Sequence, residues 1–306
     1  MIVTIAGCGA LGGVIAAHLI EGGLQVQVFQ RKGKTLHALR EKGIIMLSED
    51  RTSSISYPLA AVSDNISELL PTRLILVLVK SYDTASLFPL RDILLNNGAV
   101  LTLQNGLGNA ETLSDIFGES RVAAGITTYG GVSLSPGVVM EGLKGSITFG
   151  PWSGDGMEWI AETLGKAGLR IEHVRDPKPL LWKKLCMYAM ASPVFALTGI
   201  PVRDISRNPF ALDLMERLGG EVVEAAARSG VILDFDENWQ FLMDHLKKAS
   251  DHKPSMRQDM EAGRRMEVQG ILGAILALTG EGKEFPFTRS LYDLLMAIDK
   301  SRGNDQ

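Results

Sequence analysis

The residues with the clearest chemical use form a glycine-rich segment near the start of the sequence. Gly7-Cys8-Gly9-Ala10-Leu11-Gly12 follows a predicted strand, Ile2 to Ala6, and opens a predicted helix, Ala10 to Glu21. In a G-x-G-x-x-G segment, the first glycine permits a tight turn and the second lets a pyrophosphate approach backbone N–H groups. The third glycine lets the helix pack closely on the strand. Together with the flanking elements, this spacing predicts a dinucleotide-binding turn.

The end of the second predicted strand, Gln25 to Phe29, offers a cation where NAD-preferring proteins offer a carboxylate. The next residues are Gln30-Arg31-Lys32-Gly33-Lys34, so no Asp or Glu is available there for the adenosine ribose. The guanidinium of Arg31 suits a 2′-phosphate, which favours NADP over NAD as the cofactor. Lys32 and Lys34 are interpreted as part of a solvated basic loop.

Two polar side chains follow neighbouring apolar strands. Lys80 comes directly after the predicted strand Leu74 to Val79, and Asn105 follows the predicted strand Ala99 to Leu103 in Gln104-Asn105-Gly106-Leu107-Gly108. Open α/β sheets bind ligands at the carboxyl ends of their strands, so both side chains are candidate cofactor- and substrate-binding residues. Taken singly, each also fits a simpler interpretation, a solvated strand end for Lys80 and an ordinary turn for Asn105.

Candidate acid–base groups lie in the second half of the chain. Lys184, in Leu181-Trp182-Lys183-Lys184-Leu185, stands in an apolar predicted helix, where burial would lower the pKa of an inward-facing lysine toward neutrality. Farther on, Ser255 and Asp259 are predicted to begin one helix that continues to Glu267. Spacing alone favours helix capping for Ser255 and a charged helix face for Asp259.

With these residues assembled, the chain resembles the ketopantoate reductases (2-dehydropantoate 2-reductases) over nearly its whole length. The resemblance rests on the glycine segment, Lys80, QNGLG at 104–108, WKKL at 182–185 and the S-M-x-Q-D that begins at Ser255, with Glu267 downstream. Many dehydrogenases share the glycine segment. The last two motifs, in this order and separation, are much more specific to the family.

The resemblance implies reduction of a 2-oxo acid by hydride from NADPH, with the substrate held between two domains. Lys184 would then be the general acid that protonates the carbonyl oxygen, and Glu267 would bind the substrate hydroxyl in the catalytic site. Ser255 would contact the substrate carboxylate. The chemistry agrees, because an ammonium stabilises and then protonates the alkoxide that hydride addition creates.

The sequence departs from the family at two substrate-facing positions. Family members commonly carry asparagines four and eight residues beyond the catalytic lysine, whereas this chain has Tyr188 and Ser192. On a helix both positions share the face of Lys184, so we expect Tyr188 and Ser192 to contact the substrate. A phenol in place of an amide adds bulk and changes the hydrogen-bonding groups, which brings the identity of the 2-oxo acid into question.

Composition bounds the class of protein. The chain has 306 residues, 45% of them hydrophobic, and a net charge of -4, which argues against disorder and against nucleic-acid partners. The longest apolar runs fall short of the ~20 residues of a membrane span, and no basic segment of a signal peptide precedes the first strand. With only two cysteines the chain is predicted to be cytoplasmic, and its scattered histidines predict no metal site.

The elements that must position these residues fall into two predicted domains. In residues 1–175, short β-branched runs alternate with helix-period stretches, which predicts an α/β domain with a Rossmann-type, doubly wound sheet that binds NADP. Val138 to Met140 and Ser146 to Phe149 are predicted to form a small antiparallel extension. Residues 176–306 predict an all-α domain for the substrate, whose apolar helices offer a surface for a homodimer.

Three functions remain open at this level. The first is an NADPH-dependent 2-oxo-acid reductase that acts on ketopantoate and serves pantothenate and coenzyme A synthesis. The second is the same architecture acting on another branched or bulky 2-oxo acid, in line with Tyr188 and Ser192. The third is a non-catalytic NADP-binding sensor that uses the fold alone.

Overall fold

The computed structural model describes residues 1–142, 144–248, 253–279 and 285–303. The chain divides into two compact units. The first comprises Met1–Gln104 and Asn109–Pro177, and the second comprises Asn105–Gly108 with the described part of Lys178–Gln306. Within the described residues, no helix combines the length and apolar character needed to cross a bilayer.

The strands and helices of the first unit alternate along the chain. Its strands are β1 (Ile2–Ala6), β2 (Gln25–Phe29), β3 (Ile44–Leu47), β4 (Ser54–Tyr57), β5 (Ala61–Ser63), β6 (Thr72–Val77), β7 (Leu94–Thr102), β8 (Val122–Thr127), β9 (Gly131–Ser135), β10 (Val138–Glu141), β11 (Ile147–Pro151) and β12 (Ile171–His173). Its helices are α1 (Ala10–Glu21), α2 (Lys34–Lys42), α3 (Asn109–Phe117) and α4 (Glu158–Lys166), with 3₁₀ segments at Ile66–Glu68, Ser81–Asp92 and Glu119–Arg121.

The regular elements of the second unit, in its described part, are all helices. Its helices are α5 (Lys178–Thr198), α6 (Pro209–Arg228), α7 (Phe235–Lys248), α8 (Ser255–Glu261), α9 (Ala274–Leu276) and α10 (Pro286–Ser301), with a 3₁₀ segment at Val202–Arg207 and a π-helix at Gln269–Gly273.

An eight-stranded sheet in the order β12-β11-β8-β7-β6-β1-β2-β5 forms the centre of the first unit. The strands from β8 to β5 pair in parallel, and β11 runs antiparallel to β8. With β5 as the third strand of the parallel part, this is the strand order of the Rossmann fold. The predicted fold class, a Rossmann-type α/β domain followed by an all-α domain, is therefore confirmed.

A second, four-stranded sheet in the order β4-β3-β10-β9 packs against α1. The contact is close, because a β-carbon on Gly13 would lie 2.8 Å from Cγ1 of Val139. The predicted strand Val138 to Met140 belongs to this sheet. The predicted strand Ser146 to Phe149 corresponds to β11, which pairs antiparallel with β8 and so forms an antiparallel extension of the large sheet, as predicted.

The central strands are covered on both faces, as their nearly continuous apolar sequences predict. Leu74, Ile75, Leu76 and Val77 of β6 have no exposed surface. The strand ends at Val77, two residues earlier than the sequence indicates. Lys80 therefore follows a short connection and precedes the 3₁₀ segment Ser81–Asp92.

Helix α5 is the centre of the second unit, with α6, α7, α8, α10 and the π-helix packed against it. From Ala189 to Ala196 its buried residues occupy every side of the helix. A helix that is apolar all round must be enclosed by others. The first half buries one side only, with Trp182, Leu185 and Cys186, and leaves Lys183 and Lys184 half-buried.

Candidate functional site

The glycine turn joins β1 to α1 in a conformation that only glycine adopts without strain. Gly7 has φ +92°, and its N–H donates to the carbonyl oxygen of Phe29 at 3.0 Å. A β-carbon on Gly7 would lie 2.7 Å from the backbone nitrogen of Val79. The first glycine is thus required both by its backbone angle and by the close approach of the chain after β6.

The other two glycines of the turn have different surroundings. A β-carbon on Gly12 would lie 2.2 Å from the carbonyl oxygen of Gly7, so this glycine lets α1 pack against the turn. Around Gly9, by contrast, nothing described lies within 4 Å of the β-carbon position. Among the described residues no side chain caps α1 at Gly9, and a helix N-terminus with open space beside it suits a phosphate. The turn therefore fits a dinucleotide.

Cys8, within the turn, contributes its backbone rather than its thiol. Its N–H donates to Oε1 of Gln30 at 2.8 Å, which ties the turn to the residue after β2. Burial raises the pKa of the Cys8 thiol to about 12, so the sulfur stays protonated and unreactive at neutral pH. Ala10 and Leu11 begin α1, and Leu11 packs against the core of the unit.

Arg31 lies at the end of β2 and is 73% exposed. Its Nη1 is 3.2 Å from Oδ2 of Asp83, a residue of the 3₁₀ segment Ser81–Asp92. The residues directly after β2 contain no carboxylate, as the sequence indicates, but the fold places the Asp83 carboxylate beside Arg31. The reason is tertiary: β1 pairs with both β2 and β6, so the connections after β2 and β6 leave the sheet close together.

A buried polar network connects the segments that follow β6 and β7. Nε2 of Gln104 donates to the carbonyl oxygen of Val79 at 3.0 Å and to Oγ1 of Thr84 at 2.8 Å. Thr84 in turn donates to Oδ1 of Asn109, the first residue of α3, at 3.0 Å. These buried bonds hold the backbone on either side of Lys80. Sequence reasoning did not assign Gln104, Thr84 or Asn109 to the site, since amides and hydroxyls have no distinctive spacing.

The two adjacent lysines of α5 have different environments. Nζ of Lys183 forms a 2.5 Å ion pair with Oε1 of Glu237 on α7 and lies 5.3 Å from the centroid of the Phe241 ring. Lys184 is half-buried and interacts electrostatically with Glu267. The sequence motif names both lysines, and the structure distinguishes a surface ion pair from an inward-facing ammonium.

The electrostatics of Lys184 are those of a proton donor that works near neutral pH. Burial lowers the pKa of its ammonium to about 8, and the negative charge of Glu267 acts in the opposite direction. Glu267 is only 7% exposed. An ammonium with a pKa of about 8 is protonated at pH 7 and still gives up its proton readily, which is what a general acid requires.

Tyr188 and Ser192 follow Lys184 along α5. The ring centroid of Tyr188 lies 5.5 Å from Nζ of Lys184, which is within the range of a cation–π contact. Ser192 is 4% exposed and precedes Pro193, which has no N–H to donate within the helix. The structure thus brings Tyr188 beside the ammonium and places Ser192 in the interior of the unit.

Glu267 does not lie on the helix that begins at Ser255, and that prediction is wrong. Helix α8 ends at Glu261, Gly263 has φ +63°, and Glu267 precedes the π-helix Gln269–Gly273. The positive φ of Gly263 breaks the helical path because that backbone region suits glycine. Glu267 consequently stands at the beginning of a new helix, where its carbonyl accepts the N–H of Ile271 at 3.2 Å.

Asn105 lies in the loop Asn105–Gly108, which packs against the π-helix in the second unit. Leu107 donates its N–H to the carbonyl oxygen of Gly270 at 3.0 Å. A β-carbon on Gly106 would lie 2.2 Å from that same oxygen, and Gly106 has φ +85°. The loop can therefore be this close to the π-helix only with glycine at position 106. The structure brings Asn105 into the same unit as Glu267.

Ser255 and Asp259 differ from their capping and surface interpretations. Ser255 is exposed as the first residue of α8, and the helix has no side-chain cap among the described residues. Asp259 is 5% exposed and accepts a hydrogen bond from Nε of Arg264 at 2.8 Å. Asp259 thus anchors the chain after α8, while α8, which carries Ser255, packs against α5. Within the described ranges no three His, Cys, Asp or Glu residues cluster as metal ligands.

Two family models match the chain. The model described as Ketopantoate reductase PanE/ApbA matches residues 3–154, and the model described as Ketopantoate reductase PanE/ApbA C terminal matches residues 177–299. A protein of Archaeoglobus fulgidus named 2-dehydropantoate 2-reductase is 30% identical to this chain over 305 residues, which cover 97% of each protein.

Solved structures agree with these sequence matches. A PanE/ApbA family ketopantoate reductase from Ralstonia eutropha has a TM-score of 0.88 and 26% identity, covering 99% of this chain and 100% of that one. A D-mandelate dehydrogenase with NADH and anilino(oxo)acetate has a TM-score of 0.91 over 99% of this chain and 100% of that one. At 21% identity, that second likeness shows a shared fold. Since the family models cover most of the chain and the Archaeoglobus relative matches nearly all of it, the protein belongs to the ketopantoate reductase family and is an oxidoreductase of that type.

Proposed function

We propose that this protein reduces a 2-oxo acid with NADPH, and that its substrate is 2-dehydropantoate (ketopantoate), which it converts to pantoate for pantothenate and coenzyme A synthesis. The observation that carries the proposal is the half-buried Lys184, whose ammonium has a pKa of about 8 and faces Glu267. Family membership and the name of the Archaeoglobus relative support the choice of substrate.

The cofactor would be held by the first unit. The open side of Gly9 and the N-terminus of α1 suit the pyrophosphate, and Arg31 suits the 2′-phosphate. Lys80, at the end of the connection after β6, adds a positive charge for the phosphates or the substrate. When bound, the nicotinamide supplies a hydride to the carbonyl carbon.

The second unit would supply the proton and the substrate contacts. Lys184 donates a hydrogen bond to the carbonyl oxygen, stabilises the negative charge that develops there, and transfers its proton to form the hydroxyl. Glu267 keeps the ammonium charged and accepts a hydrogen bond from a substrate hydroxyl. Asn105 and Ser255 are the polar contacts that we assign to the carbonyl and carboxylate. Lys184 then regains its proton from solvent.

A second substrate class is favoured by Tyr188. Its ring lies beside the Lys184 ammonium, at a position where the family commonly has an asparagine. Ser192 occupies the second position at which the family commonly has an asparagine. A phenol ring offers an apolar face to a branched or aromatic tail of the substrate. It lacks the amide that an asparagine would offer to a substrate hydroxyl. The same fold carries a D-mandelate dehydrogenase, so the fold alone does not choose between these substrates.

The proposal is tested by following NADPH absorbance with a panel of 2-oxo acids. We expect consumption with ketopantoate, and kcat/KM for each acid ranks the two substrate classes. Tyr188→Asn should shift that ranking toward ketopantoate by about tenfold, because asparagine restores the amide donor and acceptor that family members commonly have at this position. Tight NADPH binding without turnover of any acid would contradict the proposal and indicate a sensor.

A further inference from the structure

Asp83 lies beside Arg31, the residue assigned to the 2′-phosphate. Nη1 of Arg31 and Oδ2 of Asp83 are 3.2 Å apart, and Asp83 is 28% exposed, compared with 73% for Arg31. The two residues come from the connections that follow β2 and β6, the strands on either side of β1. In Rossmann folds the adenosine ribose binds at the end of the second strand, where an Asp or Glu hydrogen-bonds its hydroxyls.

The backbone of Asp83 is held more firmly than the side chain of Arg31. Its N–H donates to the carbonyl oxygen of Lys80 at 2.8 Å, and its own carbonyl accepts Oγ of Ser86 at 2.6 Å. The next residue, Thr84, belongs to the buried network with Gln104 and Asn109. The backbone that carries the carboxylate is therefore held in place, whereas Arg31 is a long and exposed side chain.

We propose that Asp83 is a specificity-determining residue for the cofactor, which lowers the preference of this protein for NADPH over NADH. The inference rests on the proposed function, because it concerns the same dinucleotide site. The Asp83 carboxylate accepts hydrogen bonds from the ribose hydroxyls of NADH. Toward NADPH it neutralises Arg31 and repels the 2′-phosphate.

Charge decides the direction of the effect. A 2′-phosphate is recognised by a guanidinium that offers two N–H groups at once, and in this protein Nη1 of Arg31 already donates to the negatively charged Asp83. An exposed ion pair holds its partners only weakly, so any orientation of Arg31 by Asp83 adds little to NADPH binding. Repulsion between the Asp83 carboxylate and a phosphate dianion acts directly and extends over the Debye length of ~8 Å at physiological salt.

The test measures dissociation constants of NADPH and NADH by the fluorescence of the reduced nicotinamide, for the wild type and for Asp83→Asn. We expect the substitution to lower the dissociation constant of NADPH about fivefold and to raise that of NADH about twofold at low salt, so the NADH constant divided by the NADPH constant rises about tenfold. The change should shrink as salt is added, because the site is exposed. Asp83→Asn keeps the shape of the side chain, and its melting temperature checks the fold.

Asp92→Asn is the matched control, since Asp92 is an exposed carboxylate at the other end of the same 3₁₀ segment. It should leave the ratio of the NADH constant to the NADPH constant unchanged. An unchanged or smaller ratio in Asp83→Asn would overturn the assignment of Asp83 and show that the carboxylate orients Arg31 or has no role. Failure of the proposed function is seen separately, as a lack of turnover with every 2-oxo acid while the binding ratios remain measurable.

Discussion

In the glycine turn of the first unit, residues Gly7 to Gly12 are consecutive in the chain. The glycines of this turn act through the absence of a side chain. Gly9 leaves open space, and Gly12 leaves room for a carbonyl oxygen. In the second unit, Lys184 and Glu267 come from α5 and from the start of the π-helix, and their use depends on charge in a buried setting. The first site is made by backbone shape and the second by electrostatics, so the two should respond to different substitutions.

The largest effect is expected for Lys184→Ala. Removing the ammonium takes away both charge stabilisation and the proton, so kcat should fall by about 10²–10⁴-fold. The dissociation constant of NADPH should change little, because the cofactor turn lies in the other unit. Stopped-flow or steady-state reduction, with fluorescence titration of NADPH, measures both quantities.

The neighbouring lysine provides the control for that experiment. Lys183 pairs with Glu237 on α7, so Lys183→Ala should retain turnover within about twofold, since a surface ion pair contributes little. If Lys184→Ala kept near-normal kcat, or if the two variants lost activity equally, the proton-donor assignment would be wrong.

Substitutions of Gly9 and Gly12 test the role of backbone shape in the first unit. Gly12→Ala puts a methyl group 2.2 Å from the carbonyl oxygen of Gly7 and should lower the free energy of unfolding by about 1–3 kcal/mol. Gly9→Ala meets no described atom within 4 Å, so it should preserve stability and weaken NADPH binding alone. Thermal melts and NADPH titrations separate the two results. Equal loss of stability in both variants would contradict the distinction between a packing glycine and a ligand-facing one.

The smallest change is expected in a pH profile. Lys184 must be protonated to act as the acid, so kcat/KM for reduction should be constant at low pH and fall as pH rises through about 8. Glu267→Gln removes the charge that raises the pKa of Lys184, so this fall should move to lower pH. The reverse oxidation needs the neutral amine of Lys184, so its kcat/KM should rise as pH rises through about 8. If kcat/KM of Glu267→Gln fell at the same pH as that of the wild type, or at a higher pH, Glu267 would not set the charge state of Lys184.

The parts of the molecule that depend on neighbours in the sequence were predictable from the sequence. The glycine turn, the apolar central strands and the α/β class follow from spacing and periodicity, which act over a few residues. The single helix expected from Ser255 to Glu267 failed because one glycine, Gly263, reverses the local backbone angle. Val138 to Met140 and Ser146 to Phe149 were expected in one extension but lie in different sheets, because strand pairing is a long-range choice that periodicity does not record.

By itself, the sequence determined that this protein has a glycine-rich turn between its first strand and first helix, an arginine after the second strand, and a family pattern that includes Lys184. Tertiary structure decided that Lys184 rather than Lys183 faces a buried glutamate, and that Asp83 lies against Arg31. The physical reason is that a pKa and an ion pair depend on burial and on charges a few ångströms away. Those charges come from chain segments far apart in the sequence.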